Sequence, residues 1–228
     1  MEYVQVKLGT IFSILVVDSY QCECLESLRS FAKIVDDGGV VIYPTDTVYG
    51  IGCDATNENS IIRLYQIKNR PLNKSLPILT HSVEEVDKIA IITPLAKELF
   101  KLFWPGQLTI VLKVKALSRL SKYTLNLANN SVAIRIPDDM CIQELIKMTR
   151  SKLLIGTSAN FSNSPSSRRF IEIDPKLFTK CDAVLTKETL MESKGESTIV
   201  DISNETNPQI IRLGSLSKDK IVKVLNLN

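Results

Sequence analysis

Short apolar runs alternate with stretches whose apolar residues recur every three or four positions. Val4–Leu8 alternates with period two and Ile11–Val17 is apolar but for Ser13, so both predict strands. From Cys24 to Val35 the period lengthens, with Leu25, Leu28, Phe31, Ala32 and Val35 on one side of a helix that stops at Gly38-Gly39. Val40–Tyr43 reads as a buried strand leading into the loop Pro44-Thr45-Asp46-Thr47. Ser60 is expected to cap a helix carrying Ile61, Leu64, Tyr65 and Ile67, which Pro71 forbids from continuing. Leu76–Leu79 is a further strand, Ser82 with Glu85 is a capping-box signature, and Thr93-Pro94 opens a helix ending at Trp104-Pro105-Gly106. Leu108–Val114 and Val132–Ile136 predict strands, Met140–Met148 a helix and Leu153–Gly156 a strand. A loop rich in serine and asparagine runs from Thr157 to Arg169. Ala183–Leu185, Thr198–Ile202 and Gln209–Leu213 follow as strands, and Ser217 as the cap of a last short helix. With no repeat or linker, the expectation is one α/β domain over residues 1–228 with a mixed sheet flanked by helices.

Composition narrows this little. The chain is 44% hydrophobic and 23% charged, as globular proteins are, and its net charge of +3 permits a polyanionic ligand without demanding one. Five cysteines, an odd number without C-x-x-C spacing, argue against a disulfide framework or a zinc site and for a reducing, cytoplasmic setting. His81 is the only histidine and reads as a surface residue, so no histidine metal cluster is expected. Ile11–Val17 lacks the basic flank and cleavage site of a signal, and nothing approaches the ~20 apolar residues of a membrane span.

The chemistry-bearing motifs of common nucleotide enzymes are absent: there is no G-x-x-x-x-G-K-[ST] loop and no G-x-G-x-x-G fingerprint. Ser30 to Lys33 matches S-x-x-K but lies on an amphipathic helix without a K-T-G partner. Polar segments instead gather at the ends of predicted strands and helices, where open α/β sheets bind ligands. Lys68, Arg70, Arg135 and Arg212 can neutralise a polyphosphate or carboxylate, and the hydroxyls of Thr45, Thr47, Ser158 and Ser197 can donate to its oxygens. Taken singly, most have plainer explanations. Lys68 at a helix C-terminus favours the dipole, and Ser158 and Asn160 form turns readily. Arg135 is different, because its strand neighbours are apolar and a charge there needs an anionic partner, either a ligand or a structural carboxylate.

The segments Gly39–Cys53 (GVVIYPTDTVYGIGC), Lys68–Pro71 (KNRP), Trp104–Thr109 (WPGQLT), Val132–Pro137 (VAIRIP), Thr157–Asn160 (TSAN), Glu196–Asp201 (ESTIVD) and Arg212–Gly214 (RLG) together resemble the YrdC/TsaC family of threonylcarbamoyl-AMP synthases. The likeness runs from about residue 24 to 214. It departs at Gln107 and Leu213, where the family usually has proline, and at Phe161-Ser162-Asn163. The resemblance implies a twisted mixed sheet with helices around a large, positively lined cavity. It also implies condensation of L-threonine, bicarbonate and ATP to threonylcarbamoyl-AMP and pyrophosphate, with Mg²⁺ held mainly by the ATP phosphates. The implied partners are a threonylcarbamoyl transferase complex and, as a candidate, tRNA; no membrane is involved. By resemblance, Thr45, Thr47, Arg135 and Ser197 hold threonine or bicarbonate, and Lys68 and Arg70 are catalytic. Lys68, Arg70 and Lys74 grip the triphosphate, and Ser131, Gly156, Thr157, Ser158, Asn160, Ser166 and Arg212 surround the nucleotide. The alternatives are a diverged, inactive RNA-binding module of the same fold, or a carbamoyltransferase of the hydrogenase-maturation kind, which would carry acylphosphatase and zinc-finger segments that are missing here.

Overall fold

The computed structural model describes residues 2–8, 11–116, 118–187 and 195–225, the first two strands up to residue 18 by their backbone alone. In chain order the elements are β1 (Glu2–Leu8), β2 (Ile11–Gln21), α1 (Leu25–Asp36), β3 (Val41–Tyr43), β4 (Gly50–Gly52), α2 (Glu58–Lys68), β5 (Ile78–Leu79), α3 (Val83–Ile89), α4 (Pro94–Phe103) and β6 (Leu108–Lys113). They continue with β7 (Ser131–Arg135), α5 (Met140–Met148), β8 (Leu154–Ile155), β9 (Thr157–Ser158), α6 (Pro175–Phe178), β10 (Ala183–Thr186), β11 (Thr198–Asp201), β12 (Gln209–Arg212) and α7 (Lys218–Leu225). The expected mixed α/β fold is present, with its strands divided between two six-stranded sheets, ordered β1-β2-β10-β3-β4-β9 and β12-β11-β6-β7-β5-β8. Each mixes parallel and antiparallel pairs.

Helix ends follow local chemistry, with one correction. Asn57, not Ser60, caps α2: its side chain accepts the Ser60 N–H at 3.1 Å, and the Ser60 hydroxyl turns away to the Gly38 carbonyl at 2.7 Å. Ser82 caps α3 as expected, while the Glu85 carboxylate pairs with Lys88 and Lys152. Thr93 caps α4 ahead of Pro94. Asn69 ends α2 in the left-handed conformation, at φ 51°, which asparagine tolerates better than most residues.

The sheets meet where β8 lies beside the end of β4. The Ile155 N–H reaches the Cys53 carbonyl at 2.8 Å, and β9, continuing from β8, pairs with the same edge of β4, whose other edge is taken by β3. β4 was not foreseen, because Gly50-Ile51-Gly52 reads as loop. A methyl group on Gly52 would stand 1.9 Å from the Ile155 carbonyl oxygen, so the seam closes only around a hydrogen.

The second correction concerns the thiols. Cys22 and Cys141 form a disulfide with Cα atoms 5.3 Å apart and a sequence separation of 119. The spacing rule missed it because the pairing is tertiary: α1 packs on α5 and carries the end of β2 to the first turn of α5. No described helix is long and apolar enough to cross a membrane. A cross-link over so long a loop restricts the unfolded chain. Reduction, or Cys141→Ser, is expected to lower unfolding free energy by roughly 2–4 kcal/mol, read by denaturant titration beside non-reducing peptide mapping. An unchanged midpoint would show that the link adds nothing.

Candidate functional site

Period-two side-chain alternation gives the second sheet two different faces. Leu108, Ile110, Leu112, Val132 and Ile134 point into the core and are essentially inaccessible. The alternate residues Thr109 and Val111 of β6, Ser131, Ala133 and Arg135 of β7, and Ile199 and Asp201 of β11 line a cavity of about 490 Å³. Strand register sets Thr109 beside Ile199 and Val111 beside Ala133. The floor therefore has an apolar middle, with polar groups at both ends.

Three loops build the walls. Tyr43, Thr45, Thr47 and Val48 come from the connection between β3 and β4; Lys68, Arg70, Lys74 and Ser75 come from the end of α2; Gly156 to Ser158, Asn160 and Ser162 to Ser164 follow β8. Gly156 is needed at its place, since a Cβ there would lie 2.5 Å from the Leu79 side chain. The predicted set Thr45, Thr47, Lys68, Arg70, Lys74, Ser131, Arg135, Gly156, Thr157, Ser158, Asn160, Ser197 and Arg212 is brought to this one cavity. Ser166 is not among the lining residues. The chain is tied down beside it, where the Ser167 carbonyl accepts the Tyr49 N–H at 2.8 Å, and Ser162 to Ser164 face the cavity instead. Thr109, Asn126 and Asp201 were not foreseen. Thr109 and Asp201 close two of the family-like segments without being singled out there, and Asn126, bridged to Ser131 outside any strand, carries no comparable signal.

The cations are held by specific partners. The Lys68 ammonium donates to the carbonyls of Ser158 and of Asn160, the latter at 2.7 Å. Burial, with Arg70 next in importance, pulls its pKa down to about 7. Arg70 donates to the carbonyls of Lys74 at 3.2 Å and Ser75 at 3.0 Å, and burial lowers its pKa too. Arg135, 5% exposed, has a structural carboxylate as its anionic partner. It pairs with Asp46 and donates to Thr47 Oγ1 at 2.8 Å and to the Gly106 carbonyl at 2.8 Å. Burial pulls its pKa down while the Asp46 carboxylate opposes the shift. Arg212 pairs with Glu196 and donates to the Ser197 carbonyl at 2.9 Å, and Ser197 Oγ lies 2.8 Å from Thr109 Oγ1.

Acceptors for a metal are sparse. Among the described residues no group of three or more histidine, cysteine or carboxylate side chains gathers as a metal site. Glu196 and Asp201 are the carboxylates in the cavity wall; the first is paired with Arg212, and the second accepts the Ser203 N–H at 2.8 Å. Such a cavity suits a ligand that brings its own negative oxygens and would hold a cation through them.

The Sua5/YciO/YrdC family model, described as telomere recombination, matches residues 33–214. A threonylcarbamoyl-AMP synthase of Pseudomonas aeruginosa is 31% identical over 171 residues, 75% of this chain and 86% of that protein. The threonylcarbamoyl-AMP synthase of Pyrococcus abyssi is 32% identical over 87% of this chain, which spans only 57% of that longer protein. The crystal structure of P. abyssi Sua5 complexed with L-threonine superposes with a TM-score of 0.81 at 29% identity, covering 92% of this chain and 60% of that one. E. coli YciO shares the fold, with a TM-score of 0.78 at 21% identity and coverage of 92% and 100% of the two chains. By the extent of the family match and the identity of these relatives, the chain belongs to the Sua5/YciO/YrdC family.

Proposed function

We propose that this chain is an L-threonylcarbamoyladenylate synthase, a nucleotidyltransferase that condenses L-threonine, bicarbonate and ATP to threonylcarbamoyl-AMP and pyrophosphate for tRNA modification. The observation that carries the reading is the convergence of Lys68, Arg70, Arg135 and Arg212 with the hydroxyls of Thr47, Thr109, Ser158 and Ser197 around one cavity. Its volume, about 490 Å³, lies in the range of small-molecule sites. Its relatives bear the same activity as their name, and one is complexed with L-threonine.

In this reading the threonine amine attacks bicarbonate with loss of water, or CO₂ derived from it with loss of a proton from the nitrogen, to give a carbamate. A carbamate oxygen then attacks the α-phosphorus, and the bond to the leaving pyrophosphate breaks. Lys68, Arg70 and Lys74 lie along the triphosphate and stabilise the charge that develops on it. Thr47, Arg135 and Ser197 hold threonine and bicarbonate, with Thr45 bracing the Thr47 turn beside them, while Ser131, Gly156, Thr157, Ser158, Asn160 and Arg212 surround the nucleotide. Mg²⁺, if bound, would be held mainly by the ATP phosphates and would neutralise their charge, since few carboxylates line the wall. The walls keep water from a carbamate it would destroy. In this reading the chain works as one domain and hands its product to a threonylcarbamoyl transferase complex that engages tRNA.

Threonine-dependent release of pyrophosphate from ATP tests the reading. Lys68→Ala and Arg70→Ala should each lower this rate at least ~100-fold while circular dichroism stays unchanged. Near-normal rates in both would remove the phosphate-grip assignment. Valine should be a far poorer substrate than threonine, because it leaves hydrogen-bonding groups of the site unpaired; equal use would exclude threonine as the natural substrate.

The lowered pKa of Lys68 adds a pH signature. Burial favours the neutral amine in the free protein, so above about 7 the folded state has lost a proton that the unfolded chain retains to its ordinary value of 10.5. The unfolded state binds more protons across that window, and the Lys68 contribution to stability accordingly rises with pH. A polyphosphate favours the charged form. ATP affinity should therefore fall by up to about tenfold per pH unit above about 7, with proton uptake on binding. Calorimetry in buffers of different ionisation enthalpy reads that proton, and Lys68→Met should abolish it.

A further inference from the structure

The loop joining β3 to β4 carries an acidic residue for which the cavity has no direct use. Thr45 and Thr47 lie in the wall, but Asp46 between them does not. One oxygen, Oδ1, pairs with Arg135, the two side chains being 10% and 6% exposed. The other, Oδ2, is buried without a hydrogen-bond partner among the described residues.

The surrounding hydrogen bonds fix where protons can point. Thr45 Oγ1 donates its proton to the Val48 carbonyl at 2.8 Å and accepts the N–H groups of Thr47 at 3.1 Å and Val48 at 3.3 Å. A hydroxyl offers one proton and two lone pairs, so Thr45 is saturated. Thr47 Oγ1 lies 3.1 Å from it and accepts from Arg135 Nη1 at 2.8 Å. The guanidinium cannot swing away, because Asp46 holds its Nη2 and the Gly106 carbonyl holds its Nε at 2.8 Å. With one lone pair of Thr47 occupied by a cationic donor and its hydroxyl neighbour full, the Thr47 proton faces an acceptor only when a ligand brings one.

We propose that Asp46 is a positioning residue: by clamping Arg135 against Thr47 it makes the Thr47 hydroxyl an obligate donor to a negatively charged oxygen of the substrate. This rests on the synthase reading, which offers two such oxygens, the threonine carboxylate and bicarbonate. Asp46 touches neither, and acts through the guanidinium.

The test compares wild type, Asp46→Asn, Asp46→Glu, Thr47→Val, Thr47→Ser and the double variant Asp46→Asn/Thr47→Val. Pyrophosphate release gives the KM for each substrate, and calorimetric titration with L-threonine gives affinity without turnover. Asp46→Asn should raise the KM for threonine or for bicarbonate at least ~10-fold while leaving the ATP KM within about twofold, the scale of one charge-assisted hydrogen bond. Whichever KM moves identifies the oxygen that Thr47 meets. Asp46→Glu and Thr47→Ser should recover part of the loss. Asp46→Asn should add little once Thr47 is valine, because coupled residues are not additive. An equal change in all three KM values, or a full Asp46→Asn effect in the Thr47→Val background, would overturn the proposal. Should Asp46→Asn not fold, the Thr47 pair decides, since both variants keep the ion pair: identical kinetics and threonine affinity in valine and serine would also overturn it. Wild type that binds threonine but releases no pyrophosphate would count against the synthase reading instead, and the threonine affinities of the same variants would still judge this one.

Discussion

A guanidinium in the middle of a strand, almost sealed from water, has to be answered by a charge. In this protein the answer comes from the other sheet. Arg135 belongs to β7, while Asp46 and Thr47 belong to the loop leaving β3, so their contact carries the first sheet's loop onto the floor of the second. The same guanidinium reaches back to Gly106 at the entrance of β6. One buried cation thus sets the distance between the threonine hydroxyls and the floor, and much of the cavity's shape follows.

The resting site is largely occupied by its own backbone. Carbonyls of Ser158 and Asn160 take the Lys68 ammonium and those of Lys74 and Ser75 take Arg70, while Arg212 alone of the three has a carboxylate, Glu196, beside its carbonyl partner. Carbonyl dipoles orient a cation without neutralising it, and burial pulls down the pKa of both Lys68 and Arg70. Preorganised, incompletely neutralised charge is the condition under which electrostatic stabilisation of a developing anion is most effective.

The main elements were legible because their patterns are local. Thr93-Pro94 announced α4, the continuous run at Val40–Tyr43 announced β3, and the apolar surroundings of Arg135 announced a charge needing a partner. What stayed hidden depends on contacts distant in sequence. β4 is a strand only because β3 and β9 flank it, and Cys22 meets Cys141 only after two helices pack. Val111 and Ala133 are indistinguishable in pattern from residues of any half-exposed strand; the walls above them turn that face into a floor. Ser166 failed for a related reason: composition marked the whole serine-rich loop as ligand-facing, whereas the anchoring at Ser167 gives its two halves different surroundings.

The seam at Gly52 constrains how such a protein can diversify. Its neighbour across the seam is a main-chain oxygen, which no replacement of a side chain can withdraw. Cavity-lining positions such as Val111, Ala133 and Ile199 can exchange one side chain for another and so retune what the cavity accepts. Position 52 can change only if the course of β8 changes with it. Ligand preference and sheet geometry are thereby written in separable parts of the chain, and descendants of this sequence can explore new ligands on a frame that stays fixed.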